Sequence, residues 1–125
     1  MNLQDLNIYS LSLDLSNQIW KIVMGWDYFA KSTIGNQLVR AVDSIAANIS
    51  EGFGRFHFRE QKQFLFYARG SLYETKTFVN LAYSRNLIDE KKYLSIISQI
   101  DTIGRKLNSF INSIGKINPP PTKNQ

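Results

Sequence analysis

The chain predicts an all-α fold, an antiparallel up-down-up-down four-helix bundle, and three observations carry that prediction. Apolar residues recur in steps of three and four in four separate segments, which marks helices that each bury one stripe. No segment alternates like a strand. The breaks between segments are only a few residues long, so consecutive helices must double back on one another. At 125 residues, 43% of them hydrophobic, the chain has material for one domain with one core.

The first segment presents Leu11, Leu15, Ile19, Ile22, Trp26 and Phe29. Lys31-Ser32-Thr33 interrupts it, with Ser32 as the expected N-cap of the second helix. That helix presents Ile34, Leu38, Ala41, Val42, Ile45, Ile49 and Phe53 and closes at Gly52-Phe53-Gly54, where glycines suit a terminus. The third presents Leu65, Ala68, Leu72, Thr75, Val79 and Ala82 in strict alternation of three and four. Asn86 and Asp89-Glu90 mark the next boundary, since acidic residues favour a first helical turn. The fourth helix, in heptad order, presents Tyr93, Ile96, Ile100, Ile103, Leu107, Phe110 and Ile114. Residues 1–116 are therefore assigned to the bundle. Residues 117–125, with Pro119, Pro120 and Pro121, form an expected disordered tail, because proline lacks a backbone donor and fixes φ.

Composition narrows the function classes. The absence of cysteine excludes disulfides and thiolate metal sites and suits a cytoplasmic setting. No apolar run is long enough to span a membrane, and the N-terminus lacks the basic-then-apolar pattern of a secretory signal. A metal or cofactor is not expected: the single histidine, His57, has no glutamate three residues before it and cannot serve a di-metal bundle site or a triad. No catalytic residue is proposed, and the chain is read as no enzyme.

The charge is uneven. Residues 1–54 hold three basic groups against five acidic ones, whereas residues 55–125 hold twelve against five, so a net +7 falls on the second part of a chain whose total is +5. Such an excess is the footprint of polyanion binding or of a bland basic surface. Within it, Arg55, Arg59, Lys62, Phe66, Arg69, Tyr73 and Lys76 follow one another by threes and fours. Cations interleaved with aromatics can neutralise phosphates and stack bases, which makes Arg55, Arg59, Lys62, Arg69 and Lys76 the candidate RNA or DNA contacts. Phe66 and Tyr73 could equally pack against a neighbouring protomer with the cations covering their flanks. A second line runs along the second helix through Gln37, Arg40, Ser44, Asn48, Glu51 and Arg55. It reads either as a polar network joining Arg40, Ser44, Asn48 and Glu51 to Ser71 and Glu74 of the third helix, or as a ligand cleft. Phe64, Phe66, Tyr67, Phe78, Tyr83, Leu94, Ile97 and Ile111 fall off the central stripes, and this surplus points to a homo-oligomer.

The strings Gln37-Leu38-Val39-Arg40-Ala41, Ser44-Ile45-Ala46-Ala47-Asn48-Ile49, Glu51-Gly52-Phe53-Gly54-Arg55, Phe64-Leu65 and Ala68-Arg69-Gly70-Ser71-Leu72-Tyr73-Glu74 closely resemble the bacterial four-helix-bundle proteins named for the intervening sequences of 23S ribosomal RNA genes. The resemblance spans residues 6–115. It implies a homo-oligomeric ring, a pentamer above all. Through the related accessory variability proteins of diversity-generating retroelements, it also implies partnership with nucleic acid and with a reverse transcriptase or another nucleic-acid enzyme. One departure stands out: His57 occupies the place where many members have a Ser that would cap the third helix, and Phe56-His57-Phe58 is expected to bury instead. The sequence thus predicts a non-enzymatic nucleic-acid-binding accessory protein acting through a basic face, the alternative being a protein-protein assembly module.

Overall fold

The computed structural model describes residues 2–3 and 6–115, so the expected C-terminal tail lies outside the described residues. Four helices and no strand occur among the described residues. Helix α1 spans Asn7–Met24. Helix α2 starts at Tyr28–Ala30, passes through a π-helical turn at Lys31–Gly35 and runs on as Asn36–Phe53. Helix α3 spans Phe58–Ser84 and α4 spans Glu90–Ser113. Each of α1–α2, α2–α3, α3–α4 and α1–α4 is a packed pair, so the helices close a four-sided bundle around one core.

The stripe read for α3 is the one that is buried: Leu65, Ala68, Leu72, Thr75, Val79 and Ala82 all face the core. Thr75 is tolerated there because its hydroxyl donates to the Ser71 carbonyl at 2.8 Å. In α1 the buried line is Ile8, Ser12, Leu15, Ser16, Ile19 and Val23, and two serines hold positions that apolar counting passes over. Ser12 donates to the Ile8 carbonyl at 2.7 Å, and Ser16 reaches across to the Val42 carbonyl at 3.2 Å, so neither hydroxyl is buried without a partner.

The first helix boundary differs from the sequence expectation. The chain breaks at Gly25–Asp27, where the Asp27 carboxylate accepts from the Ala30 N–H at 3.0 Å and caps α2. Ser32 lies inside the π turn and donates to the Phe29 carbonyl at 3.3 Å. Phe29 is consequently not part of the α1 stripe and is 75% exposed, whereas Trp26 is buried with its indole N–H on the Leu87 carbonyl at 3.0 Å. Gly35 ends the π turn at a close approach: a Cβ there would stand 2.7 Å from Val23 Cγ1 and 3.1 Å from the Ala30 carbonyl oxygen.

Between α3 and α4, Asn86 takes the left-handed conformation with φ 61° and Leu87 N–H returns to the Ala82 carbonyl at 2.9 Å, which terminates α3. Asp89 then caps α4 by accepting from Lys92 N–H at 2.8 Å. In α4, Ile96, Ile100, Ile103, Leu107 and Ile111 are buried. Phe110 is half-buried and Ile111, expected on an outer face, takes the core position. A straight helix of 3.6 residues per turn drifts from a 3.5-residue heptad by about 20° per heptad, and the roughly 50° accumulated by the last turns is enough to turn Phe110 off the core and bring Ile111 in.

His57 is the N-cap residue of α3, and its side chain makes no capping bond. The expected burial of Phe56-His57-Phe58 is not found: Phe56 is 88% and Phe58 46% exposed, and His57 stands edge-on to the Phe56 ring. Since its φ of −90° and ψ of 138° already suit a cap, His57→Ser is expected to stabilise the fold by about 0.5–2 kcal/mol in urea titrations.

Candidate nucleic-acid interface

The unbroken helix from Phe58 to Ser84 carries Arg59, Lys62, Phe66, Arg69, Tyr73 and Lys76 along one side, and Arg55 precedes it in the link from α2. The cations are not equivalent. Arg55 forms an ion pair with Glu51 at 2.7 Å, one helical turn earlier, and its guanidinium lies 4.6 Å from the Phe64 ring centre. Lys76 pairs with Asp101 of α4 at 3.1 Å. Arg69 donates to the Asn108 side-chain carbonyl of α4 at 3.0 Å and lies 4.8 Å over the Phe66 ring. Arg59 and Lys62 take part in no side-chain ion pair or hydrogen bond among the described residues.

These differences set what each group can offer a phosphate. Glu51 and Asp101 largely offset the charges of Arg55 and Lys76, although half-exposed pairs of this kind contribute only about 0–1 kcal/mol and yield readily to a stronger anion. Arg69 contacts a neutral amide, so its positive charge is uncompensated and its plane is held by an aromatic face. The strongest electrostatic offering is therefore the trio Arg59, Lys62 and Arg69, with Phe66 beside it.

Two further cations escaped the row and lie away from it. Arg105 and Lys106 are exposed on α4 and line a cleft with Leu6, Asn7, Ile8 and Phe110 on the α1 side. Their signal in the sequence was the basic excess after residue 54.

The polar line of α2 does not form the expected network. Ser44 donates to the Arg40 carbonyl at 2.8 Å, Asn48 to the Ser44 carbonyl at 2.9 Å, and Glu51 binds Arg55, all within one turn. No hydrogen bond or ion pair links these side chains to Ser71 or Glu74. The reason is the seam itself. Leu38, Val42, Ile45 and Ile49 face Leu65, Ala68 and Leu72 in one apolar cluster, and at Gly52 an added Cβ would come 3.0 Å from the Gln61 carbonyl. That closeness leaves the polar groups beside the contact, where Ser44 and Asn48 turn back to carbonyls of their own helix. Arg40, Ser44 and Glu74 do line one open polar cleft of about 620 Å³ with Ser32, Asn36 and Gln37.

Phe66 and Tyr73 are 44% and 62% exposed, as an interface would need. A second group of exposed apolar side chains, unforeseen in the sequence, lies where α1 meets α2: Trp20, Met24 and Tyr28. Among the described residues no cluster of three or more His, Cys, Asp or Glu is placed to hold a metal ion, and no helix is long and apolar enough to cross a membrane.

A bundle of four helices with this motif string defines a class, and the comparisons agree with it. The family model described as 23S rRNA-intervening sequence protein matches residues 4–109, and the chain belongs to that family. Six solved chains match. One of them, a Bacteroides thetaiotaomicron VPI-5482 protein described as of unknown function and from the S23 ribosomal protein family, superposes with a TM-score of 0.75 at 23% identity, covering 84% of this chain and 95% of its own. That likeness concerns the fold. No curated protein matches.

Proposed function

We propose that this chain is a non-enzymatic accessory protein that binds RNA or DNA along α3 and works as a homo-oligomeric ring, a pentamer by family resemblance. The observation that carries the reading is the presence of Arg59, Lys62 and Arg69 on one side of α3 without a carboxylate partner among the described residues, next to an exposed aromatic. An up-down-up-down antiparallel arrangement accompanies it. Lys76 meets Asp101, and Arg69, seven residues earlier, meets Asn108, seven residues later, as oppositely directed helices require. The non-enzymatic reading rests on an exposed lone histidine and on the lack, among the described residues, of a nucleophile held by a base. A cytoplasmic setting and a nucleic-acid enzyme such as a reverse transcriptase as co-worker follow from the same reading.

Titration of labelled RNA and DNA across a salt series tests it. If about four phosphates are neutralised at each site, log affinity falls with log salt at a slope of about −3, somewhat steeper on duplex than on single strands. Repetition of the face around a ring would turn a weak protomer site into useful avidity. Affinity that does not change with salt would count against phosphate recognition.

A further inference from the structure

The exposed side of α3 is ordered across its width as well as along its length, because helix positions seven residues apart lie nearly above one another. Lys62, Arg69 and Lys76 form the line next to α4, where Arg69 reaches Asn108 and Lys76 reaches Asp101. Arg59, Phe66 and Tyr73 come next, followed by Gln63 and Gly70 along the crest. Glu60, Tyr67 and Glu74 occupy the flank toward α2, where Glu74 shares a cleft with Arg40. Gly70 stands at the centre. Its surface neighbours, three and four residues away, are Phe66, Tyr67, Tyr73 and Glu74, all exposed, and a Cβ on Gly70 would meet nothing within 4 Å among the described residues. Glycine in the middle of a helix is a weaker helix former than alanine, and no contact among the described residues calls for it here.

We infer that Gly70 is the floor of a slot for unpaired bases, so that the nucleic acid held by α3 is single-stranded. The inference rests on the nucleic-acid reading above and adds which form is bound and how it lies. Phosphates follow the cation line, and bases reach across the crest toward Tyr67 and Glu74. The order of the lines argues for this. A duplex groove presents a phosphate strand on either side, and one of the two would face Glu60 and Glu74, neither of which has an ion pair or hydrogen bond among the described residues. A single strand sets its charge on one edge only, and the Glu74 carboxylate on the other edge can accept from the exocyclic amines of the bases. Phe66 and Tyr73, seven residues or about 10.5 Å apart along the axis, wall the gap. Bases in a duplex have both faces covered by their neighbours, whereas unpaired bases offer theirs to such rings. Tyr67 is already held in place: its ring centre lies 5.5 Å from that of Phe64 in an edge contact, and the Gln63 amide donates to its hydroxyl at 2.8 Å. Charge favours a polyanion over a second protein, since Arg59, Lys62 and Arg69 line one edge without a carboxylate partner among the described residues.

The test uses the full chain and one mixed-sequence oligonucleotide, as RNA and as DNA, offered single-stranded and annealed to its complement. The parent is expected to bind the single strand about tenfold more tightly than the duplex. Gly70→Ala, a better helix former with room for its methyl group, is expected to raise the urea midpoint and yet weaken single-strand binding about threefold. Gly70→Leu fills the slot and is expected to weaken that binding by more than about tenfold, with the salt slope as in the parent because every cation is retained. Higher stability together with lower affinity is a pair that a merely structural glycine would not give. Should leucine disturb the helix, Tyr73 supplies a second route: Tyr73→Ala is expected to weaken single-strand binding about tenfold and Tyr73→Phe to preserve it. A parent that binds both forms alike, or a folded Gly70→Leu variant of parental affinity, overturns the slot and leaves phosphate recognition standing. Lower stability in Gly70→Ala also overturns it, since the glycine would then serve the fold. A change of oligomer mass in Gly70→Leu would assign the gap to a second copy of the chain and overturn it too. A parent that binds neither form overturns both readings.

Discussion

The double substitution Arg59→Glu, Lys62→Glu is expected to weaken binding to both RNA and DNA by more than about tenfold, with the salt slope reduced by about 0.9 for each phosphate that is no longer neutralised. Neither side chain has an ion-pair partner among the described residues, so their replacement breaks no such pair, and stability should move by about 0.5 kcal/mol or less. Lys76→Glu makes an instructive contrast. Its ammonium already answers Asp101 at 3.1 Å, so the change removes little free charge and sets two carboxylates against each other. It should cost stability and change affinity less. Arg69 would mix the two effects through Asn108 and the Phe66 ring. A folded, oligomeric Arg59→Glu, Lys62→Glu variant that binds like the parent, with the same slope, would favour the protein-assembly reading.

The second large effect lies in the last turns of α4. Ile111→Ala is expected to destabilise the bundle by about 2–5 kcal/mol, the cost of emptying a buried branched side chain. Phe110→Ala, though it removes more atoms, should cost less than about 2 kcal/mol because only part of its ring leaves water on folding. Ile111 is 3% exposed and closes the core, whereas Phe110 packs at its margin. Urea midpoints at unchanged m-value measure both. The reverse order of effects would mean that α4 keeps the heptad phase to its end.

That pair also shows how far the sequence could be read. The stripe of α3 was legible in full, because six core positions on one helix tolerate little phase error. At the end of α4 the same alternation failed by one residue, since the heptad is an approximation whose error accumulates. The break at Gly25–Asp27 was misplaced because Lys31-Ser32-Thr33 resembles a boundary, whereas Asp27 supplies the stronger cap and a π turn carries the helix through the serine. Ser12 and Ser16 were passed over as core because their hydroxyls find carbonyl partners that only the folded backbone presents.

For the candidate interface, spacing alone placed the cations on one side of α3 and could not say which of them were already spoken for. That depends on the register of α3 against α4, which sets Lys76 on Asp101 and Arg69 on Asn108. The α2 network failed for the complementary reason. Side chains with the right spacing to meet α3 found the seam closed by apolar packing and turned back to their own carbonyls.

An oligomer that holds nucleic acid on its α3 face is tested most directly by light scattering coupled to size-exclusion chromatography, with absorbance separating protein from nucleic acid, on protein prepared at low salt. The account predicts a particle of several chains of 14.4 kDa, five by family resemblance, that carries nucleic acid and sheds it as salt rises while the protein mass stays constant. A protein of one chain, free of nucleic acid at micromolar concentration and unable to take up added RNA or DNA, would contradict it.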